Sequence, residues 1–265
     1  MKRMQELKII SIDGFLEGGS SKPLLITAIG EDKIVDQYVM KVFKKDYIEQ
    51  NYTVAKEIFI SELCKEFNLE SPEYALIKID HSLLSDFYSK DLLEKIDKGY
   101  KFCSKYHGQY VIFNPLVSLS FIKDYDIENL FAFDNIIINT DRGGYRDKPN
   151  LLINDSNILL IDHELTIPFI NNSSEDPNFY NYLRSYPYQR HILTRHIKTL
   201  KNKNNLFEEF FEMLKVININ RFNIIFDELD RFDIKYGDRD KIFAYLNWIK
   251  NNRTFISNHL IGVIK

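Results

Sequence analysis

The chain has 265 residues, of which 45% are hydrophobic and 14% aromatic, so it holds enough apolar material for a packed core. Its 35 Lys and Arg residues against 38 Asp and Glu residues give a formal net charge of −3, so no overall basic field favours nucleic acid or an anionic membrane. The sequence shows no signal peptide, no apolar run near the roughly 18 residues of a membrane span and no Cys-x-x-Cys pattern around Cys64 or Cys103, so it predicts a cytoplasmic protein without zinc or redox chemistry.

Residues 1–80 are predicted to form a β-rich region. Short apolar stretches alternate with turn-rich segments, a pattern typical of strands joined by hairpins. One longer stretch has amphipathic spacing and ends shortly before Pro72, where a helix could not easily continue. The expected elements are strands over Leu24–Ala28, Tyr38–Phe43 and Tyr74–Ile79, and a helix over Thr53–Asn68.

Residues 81–265 are predicted to be mainly helical, which makes the fold class α+β. One β-hairpin interrupts the helices, because two apolar runs flank an Asn-Asp-Ser-Asn turn. The expected helices are Leu83–Lys98, Ile127–Ile138, Tyr188–Leu200, Leu206–Val216, Arg221–Phe232 and Asp238–Ile249, and the expected strands are Tyr110–Phe113, Leu151–Ile153 and Ile158–Ile161.

A glycine-rich segment lies between the first two predicted strands. Gly18, Gly19, Ser20 and Ser21 are small, so their backbone N–H groups could approach a phosphate closely. Most segments of this composition are ordinary turns. A phosphate-binding role for this segment is therefore supported only in combination with the residues that follow it.

Lys41 lies inside the predicted strand Tyr38–Phe43, where a period of two places it on the same face as Val39 and Phe43. A lysine among apolar neighbours needs an anion, unless its stem covers the surface and its charge reaches water. Glu57 on the next predicted helix is the candidate ion-pair partner, and Glu62 is a rival for the same role.

Three polar residues follow one another at the ends of predicted elements. Asp141 leaves the buried helix for a polar loop, Asn150 enters the first strand of the hairpin, and Asp162 ends the second. A hairpin brings its two outer ends together, so Asn150 and Asp162 could supply the oxygen ligands that Mg²⁺ prefers, while Asp141 could orient a hydroxyl group or accept its proton. Asp and Asn residues often begin turns or cap helices, so each of the three could have such a role by itself. Their order along the chain instead favours a site for phosphoryl transfer.

Three neighbouring polar residues have less specific roles. Asp134 lies within the predicted helix, which favours a structural hydrogen bond over catalysis. Arg142 either binds phosphate or holds Asp141 by an ion pair. His163 is more typical of a packed residue or a supporting residue than of a metal ligand.

The chain resembles the HipA-like kinases, and in particular their short kinase-domain branch, over roughly Ser11 to Pro168. The resemblance rests on GGSSKPLL, YVMKVF, KEIFISELCKEFNLESPE, FDNIIINTDR, PNLL and LLIDHE. It implies a two-lobed protein-kinase-like fold, with a small β-rich lobe over residues 1–80 and a helical lobe over residues 81–265.

The resemblance also implies the roles of the site residues. ATP and Mg²⁺ would be bound, with Lys41 on the nucleotide phosphates, Glu57 as its helix partner and Asp141 as the catalytic aspartate. Asn150 and Asp162 would be the metal ligands. The residues expected to gather around one metal-bound nucleotide are Lys41, Asp141, Asn150 and Asp162. One departure stands out, since nine positions separate Asp141 from Asn150, a longer loop than in many kinases.

The resemblance further implies a serine/threonine-protein kinase with a protein substrate. An antitoxin or regulatory protein is an expected partner, and autophosphorylation at Ser20 or Ser21 is a hypothesis. Two alternatives stay open: a pseudokinase or nucleotide-regulated interaction module, and a kinase that acts on a lipid headgroup or small metabolite. Neither nucleic acid nor a membrane is an expected partner.

Overall fold

The computed structural model describes residues 3–16, 23–143, 148–171, 178–200, 203 and 205–265. The chain forms two compact units, each assembled from several segments. The barrel unit comprises Met1–Phe59, Pro72–Gly108 and Phe222–Gly237, and the helical unit comprises Ile60–Ser71, Gln109–Arg221 and Asp238–Lys265. Within the described ranges, no helix is both long and apolar enough to cross a membrane.

The barrel unit is built on five strands that close in the order β1-β2-β3-β5-β4. The strands are β1 (Glu6–Phe15), β2 (Leu24–Ile29), β3 (Val35–Met40), β4 (Tyr74–Ile77) and β5 (Lys101–Lys105). The β1–β4 pair is parallel and the other pairs are antiparallel. Closure leaves these strands without a free edge.

The alternation of buried and partly buried residues along β2 shows which of its side chains lie inside the barrel. Leu24, Ile26 and Ala28 are fully buried, whereas the residues between them are only partly buried. They pack with Met40 and Cys103 in the core of the barrel. The predicted strand at Leu24–Ala28 is therefore confirmed, because a period of two places every second side chain inside.

The described helices are, in chain order, α1 (Lys45–Asn51), α2 (Thr53–Cys64), α3 (Lys90–Leu93), α4 (Leu119–Ile122), α5 (Ile127–Ile136), α6 (Phe179–Arg184), α7 (Thr194–Thr199), α8 (Glu208–Val216), α9 (Asn223–Arg231), α10 (Arg239–Asn251) and α11 (Arg253–Ile264). Short 3₁₀ turns adjoin several of them. The helix predicted over Thr53–Asn68 is α2 followed by a 3₁₀ turn at Lys65–Phe67.

The helix predicted over Leu83–Lys98 is wrong. The segment contains a 3₁₀ turn at His81–Leu84 and the single turn of α3. Ile96 instead forms an antiparallel bridge with Lys44, so the backbone pairs across the chain rather than along a helix. The spacing of apolar residues within the segment could not predict this pairing, because its partner, Lys44, is about fifty residues away in the sequence.

The strand predicted over Tyr38–Phe43 ends earlier in the structure. β3 stops at Met40, so Lys41 is the first residue beyond the strand rather than one inside it. Its backbone N–H still donates to the carbonyl of Phe102 at 3.1 Å, so the position of Lys41 remains tied to the barrel.

The helical unit contains the predicted hairpin and a buried central helix. β6 (Val111–Ile112), β7 (Leu151–Ile153) and β8 (Ile158–Leu160) form a three-stranded antiparallel sheet in that order. α5 is buried along nearly its whole length, as the apolar run predicted. Phe133 of α5 packs on Phe67, which also stacks on Phe210 of α8 with ring centroids 4.4 Å apart.

Candidate functional site

The loop that follows α5 is anchored to the end of that helix. The backbone N–H of Asn139 donates to the carbonyl of Asp134 at 2.9 Å, and the Asn139 side chain donates to the Asp134 carboxylate at 3.0 Å. The side-chain oxygen of Asn139 accepts the backbone N–H of Asp141 at 3.1 Å. Asp141 is thus held at the start of the loop, where it is only 2% exposed.

Asp141 and Asn150 are in direct contact. The Nδ2 atom of Asn150 donates to Oδ2 of Asp141 at 3.1 Å and to the Asp141 carbonyl at 3.1 Å. An amide nitrogen has two hydrogens, so both are committed to Asp141. Within the described residues, the amide oxygen of Asn150 and Oδ1 of Asp141 take no part in this contact.

The long loop between these two residues is closed at its base. Gly143 forms an antiparallel bridge with Lys148, and its N–H donates to the Lys148 carbonyl. Asp141 and Asn150, on either side of this bridge, are therefore in contact although nine positions separate them. Residues 144–147 of this loop lie outside the described residues.

Arg142 has a different partner from either one that the sequence suggested. Its Nε donates to Oδ2 of Asp134 at 2.9 Å and its Nη2 to Oδ1 at 3.3 Å, with both side chains fully buried. A guanidinium committed in this way cannot bind a phosphate, and it pairs with Asp134 rather than with Asp141. The structural role expected for Asp134 is confirmed.

The same guanidinium also binds the two outer ends of the hairpin. Nη1 of Arg142 donates to the carbonyl of Asn150 and, at 3.0 Å, to the carbonyl of Ile161. The Ile161 N–H itself donates to the Asn150 carbonyl at 3.2 Å. Arg142 therefore joins the loop, the start of β7 and the residue that precedes Asp162.

His191 completes this buried network. Its Nε2 lies 3.0 Å from Oδ2 of Asp134, and its Nδ1 accepts the backbone N–H of Leu193 at 3.2 Å. Burial lowers the pKa of His191 below its ordinary value, despite the opposing effect of Asp134. A neutral ring with its proton on Nε2 satisfies both contacts.

Asp134 remains charged because its hydrogen bonds outweigh its burial. Burial alone would raise the pKa of its carboxyl group, but the charge of Arg142 and the hydrogen bonds from Arg142 and His191 lower the pKa to about 2. A buried carboxylate is tolerated here because several donors surround it.

Asp162 follows β8 in a left-handed backbone conformation with a φ of 64°. A carboxylate oxygen of Asp162 and one of Glu164 lie within 4.8 Å of each other. Glu164 is buried and was not singled out from the sequence, although its position two residues after Asp162 is visible in the chain. His163 between them is buried, as expected for a packed residue.

The donor set in the helical unit fits a hard divalent cation. The Asn150 amide oxygen and the carboxylates of Asp162 and Glu164 are oxygen ligands of the type that Mg²⁺ and Mn²⁺ prefer. The arrangement contains no thiolate and no imidazole in the ligand positions that the sequence predicted.

Lys41 and Glu57 lie together in the barrel unit. Nζ of Lys41 contacts Oε1 of Glu57, with side chains that are 11% and 1% exposed. Glu62, the rival partner, instead pairs with Lys65 at 2.5 Å. The structure thus forms the predicted lysine–glutamate pair in one unit and the Asp141–Asn150 contact in the other. That both groups act on one nucleotide stays a prediction, and Gly18, Gly19, Ser20 and Ser21 lie outside the described residues.

The comparison with protein families now bears on these residues. The family model of the HipA-like kinases matches residues 9–219, which is most of the chain. The chain belongs to the HipA-like kinase family. No curated protein matches it in sequence. As a HipA-like kinase, the chain falls among the phosphotransferases, and the matched range includes every site residue discussed above.

One solved structure supports a kinase-like fold. The Golgi casein kinase, in a crystal structure with Mn/ADP bound, matches this HipA-like kinase with a TM-score of 0.51 and 11% identity, covering 96% of this chain and 72% of that chain. The FAT and kinase domain of CtTel1 matches with a TM-score of 0.30 and 11% identity, covering 96% of this chain and 21% of that chain. The first likeness agrees with the α+β class expected from the sequence.

Replacement of Gly143 by alanine should destabilise this HipA-like kinase by about 2 kcal/mol or more. Gly143 has a φ of 90°, and a Cβ atom there would lie 2.3 Å from the Arg190 carbonyl oxygen and 2.8 Å from the Ile192 nitrogen. Chemical denaturation of the purified variant would measure the loss.

The matched control for that experiment is Gly262→Ala. Gly262 lies in α11, and a Cβ atom added to it would have no neighbour within 4 Å. Alanine should therefore stabilise the helix there by roughly 0.5–1 kcal/mol. Equal effects of the two substitutions would show that the backbone at Gly143 is not constrained as described.

The free energy of unfolding should fall as the pH drops below about 6.5, in part because His191 is buried and neutral. Its lowered pKa means that the unfolded chain takes up a proton first, near the ordinary histidine pKa of ~6.5, and this favours unfolding with a slope of up to about 1.4 kcal/mol per pH unit. Asp134 acts only at lower pH, since its stabilisation is lost from roughly pH 4 down to its folded pKa of about 2.

His191→Gln isolates this contribution, since glutamine can donate to Asp134 without titrating. Urea denaturation between pH 5 and 7 should show that the free energy of unfolding depends less steeply on pH than in the unmodified protein. The difference should correspond to the uptake of about one proton on unfolding. Ile249→Ala, a buried position of α10 outside the network, should lower stability at every pH without changing the slope. Parallel curves for His191→Gln and the unmodified protein would contradict the role given to His191.

Proposed function

We propose that this HipA-like kinase transfers the γ-phosphoryl group of ATP to a serine or threonine hydroxyl of a protein, with Mg²⁺ as the metal. The observation that carries the proposal is the direct contact between Asp141 and Asn150 at the mouth of the predicted hairpin. The second carboxylate oxygen of Asp141 and the amide oxygen of Asn150 take no part in this contact and are proposed to have different tasks.

Asp141 is the proposed catalytic residue. One of its carboxylate oxygens is occupied by the Asn150 amide, and the other can accept a hydrogen bond from the substrate hydroxyl. The backbone N–H of Asp141 donates to the side-chain oxygen of Asn139, and this hydrogen bond keeps Asp141 at the start of the loop. In this position Asp141 orients the hydroxyl and accepts its proton as the new phosphate bond forms.

Asn150 and Asp162 are the proposed metal ligands. When bound, Mg²⁺ would neutralise charge on the phosphate oxygens and fix their orientation. The Golgi casein kinase, which shares the fold, has been crystallised with Mn/ADP, and this supports a divalent metal and a nucleotide for the present chain.

Lys41 is the proposed phosphate-binding cation, with Glu57 as the residue that orients it. The Lys41 side chain is 11% exposed, whereas that of Glu57 is 1% exposed. An ammonium group has three donors, so a phosphate can share it with Glu57. Gly18, Gly19, Ser20 and Ser21 remain the proposed phosphate loop, and autophosphorylation at Ser20 or Ser21 remains a hypothesis.

A protein acceptor and a regulatory partner rest on family membership. The first alternative is a nucleotide-binding pseudokinase, in which ATP binds and no phosphate is transferred. A kinase for a lipid headgroup or small metabolite is the second, and the net charge of −3 does not favour an anionic lipid surface. Cytoplasmic localisation and an antitoxin partner stay predictions.

Asp162→Ala should remove most of the stabilisation that ATP and Mg²⁺ give to the protein. A ligand at 100 times its dissociation constant stabilises the native state by about 2.7 kcal/mol, and loss of a metal ligand lowers that gain. A thermal-shift titration with ATP and Mg²⁺ measures it. Asp155→Ala, in the exposed turn of the same hairpin, is the control and should respond like the unmodified protein.

Asp141→Asn should lower phosphate transfer by roughly 10²–10⁴-fold, since asparagine keeps the shape of the side chain and cannot accept the proton. The assay follows radiolabelled phosphate from ATP into casein and into the protein itself. Binding of ATP and Mg²⁺ should persist in this variant. Full transfer by Asp141→Asn would exclude it as the base, and ATP binding by the unmodified protein without any transfer would favour the pseudokinase.

A further inference from the structure

A group of buried, hydrogen-bonded side chains lies in the described part of the helical unit and comprises Asp134, Arg142 and His191. Asp134 and Arg142 are fully buried as side chains, and so is His191. We propose that Asp134, Arg142 and His191 are positioning residues that set the separation of the two metal-binding residues and so determine the affinity of the site for its cation. The inference rests on the proposed function of the Asn150–Asp162 site.

Arg142 controls the backbone on both sides of the metal site. Its Nη1 binds the carbonyl of Asn150, one proposed ligand, and the carbonyl of Ile161, which precedes Asp162, the other proposed ligand. A planar guanidinium has a fixed donor geometry, so these two carbonyls are held at one separation. The side chains of both ligands start from backbone positions that Arg142 defines.

Asp134 fixes the guanidinium and the catalytic loop together. Its two oxygens accept four hydrogen bonds, from Nδ2 of Asn139, from Nε and Nη2 of Arg142 and from Nε2 of His191. Asn139 in turn accepts the N–H of Asp141. One buried carboxylate is thus connected to the proposed base and, through Arg142, to both proposed ligands.

His191 connects this network to a distant part of the chain. It lies 57 positions after Asp134, and the neighbouring Ile192 donates its N–H to the Arg142 carbonyl at 3.1 Å. The segment around His191 therefore holds the Arg142 backbone directly and the Arg142 side chain through Asp134. Residues that orient metal ligands typically change metal affinity about 10–100-fold when replaced.

A purely structural network makes a different prediction from a positioning network. Loss of a buried charge partner destabilises the fold in both cases. Only the positioning role also changes the affinity of the folded protein for its cation. Metal affinity must therefore be compared at equal folded fraction, by a measurement that does not depend on phosphate transfer.

The experiment measures Mn²⁺ binding in the presence of ADP, from the electron paramagnetic resonance signal of free Mn²⁺, at a temperature where each variant is folded by circular dichroism. Arg142→Lys keeps the charge and loses the fork of donors, so its Mn²⁺ dissociation constant should rise about 10–100-fold. Ile249→Ala, destabilised and outside the network, should bind Mn²⁺ with unchanged affinity.

His191 provides a second and gentler test, in case Arg142→Lys does not fold. His191→Leu removes the donor to Asp134 and should weaken Mn²⁺ binding by roughly 10-fold. His191→Gln restores a donor of similar reach and should recover affinity to within about threefold. Recovery by glutamine and not by leucine is the expected outcome, and equal affinities in both variants and in Ile249→Ala would overturn the positioning role.

Asp162→Ala in the same assay separates this inference from the function on which it rests. If Asp162→Ala abolishes Mn²⁺ binding while the His191 variants bind normally, the metal site stands and the positioning role is wrong. Unchanged Mn²⁺ binding in Asp162→Ala would remove the proposed metal site and the inference with it.

Discussion

The buried carboxylate of Asp134 is the constraint on which the candidate site depends. A charge without water is tolerated only when hydrogen bonds surround it, and here four donors from three residues do so. Those donors come from the loop after α5 and from the segment before α7. To satisfy Asp134, the chain must therefore place Asn139, Arg142 and His191 around the end of α5. The position of the proposed catalytic aspartate follows from that requirement.

The barrel unit also holds its proposed phosphate-binding residue by a pairing of opposite charges. Lys41 follows β3 directly and pairs with Glu57, whose side chain is almost fully buried. Lys41 itself takes part in its ion pair. Asp141, by contrast, is held by hydrogen bonds and lies near the ion pair between Asp134 and Arg142. The difference suits the proposed chemistry, because a phosphate-binding lysine stays charged throughout, while a base must remain able to accept a proton.

The family match to the HipA-like kinases and the likeness to the Golgi casein kinase support different conclusions. The family match covers residues 9–219 and concerns sequence, whereas the structural match at 11% identity concerns only the fold. A fold hosts many activities, so the substrate must be argued from the site. The candidate site in this chain consists of oxygen donors and one proposed carboxylate base, a combination that suits phosphate transfer and leaves the acceptor to experiment.

The sequence alone determined the order of the elements and the chemical types at the site. Periodicity predicted β2, α5 and the hairpin of β7 and β8, because these patterns are local, and it placed Asp141, Asn150 and Asp162 at element ends. The prediction failed over Leu83–Lys98, where contacts with residues distant in sequence determine the structure. Ile96 there pairs with Lys44 instead of continuing a helix.

Only the tertiary structure decided which charges meet. Arg142 stands next to Asp141 in sequence and pairs with Asp134, and the choice of Glu57 over Glu62 for Lys41 likewise became visible only in the fold. His191 could not be connected to the site at all from its position 57 residues away. Long charged side chains reach in many directions, so their partners depend on which segments pack together and on which buried charges must be neutralised there.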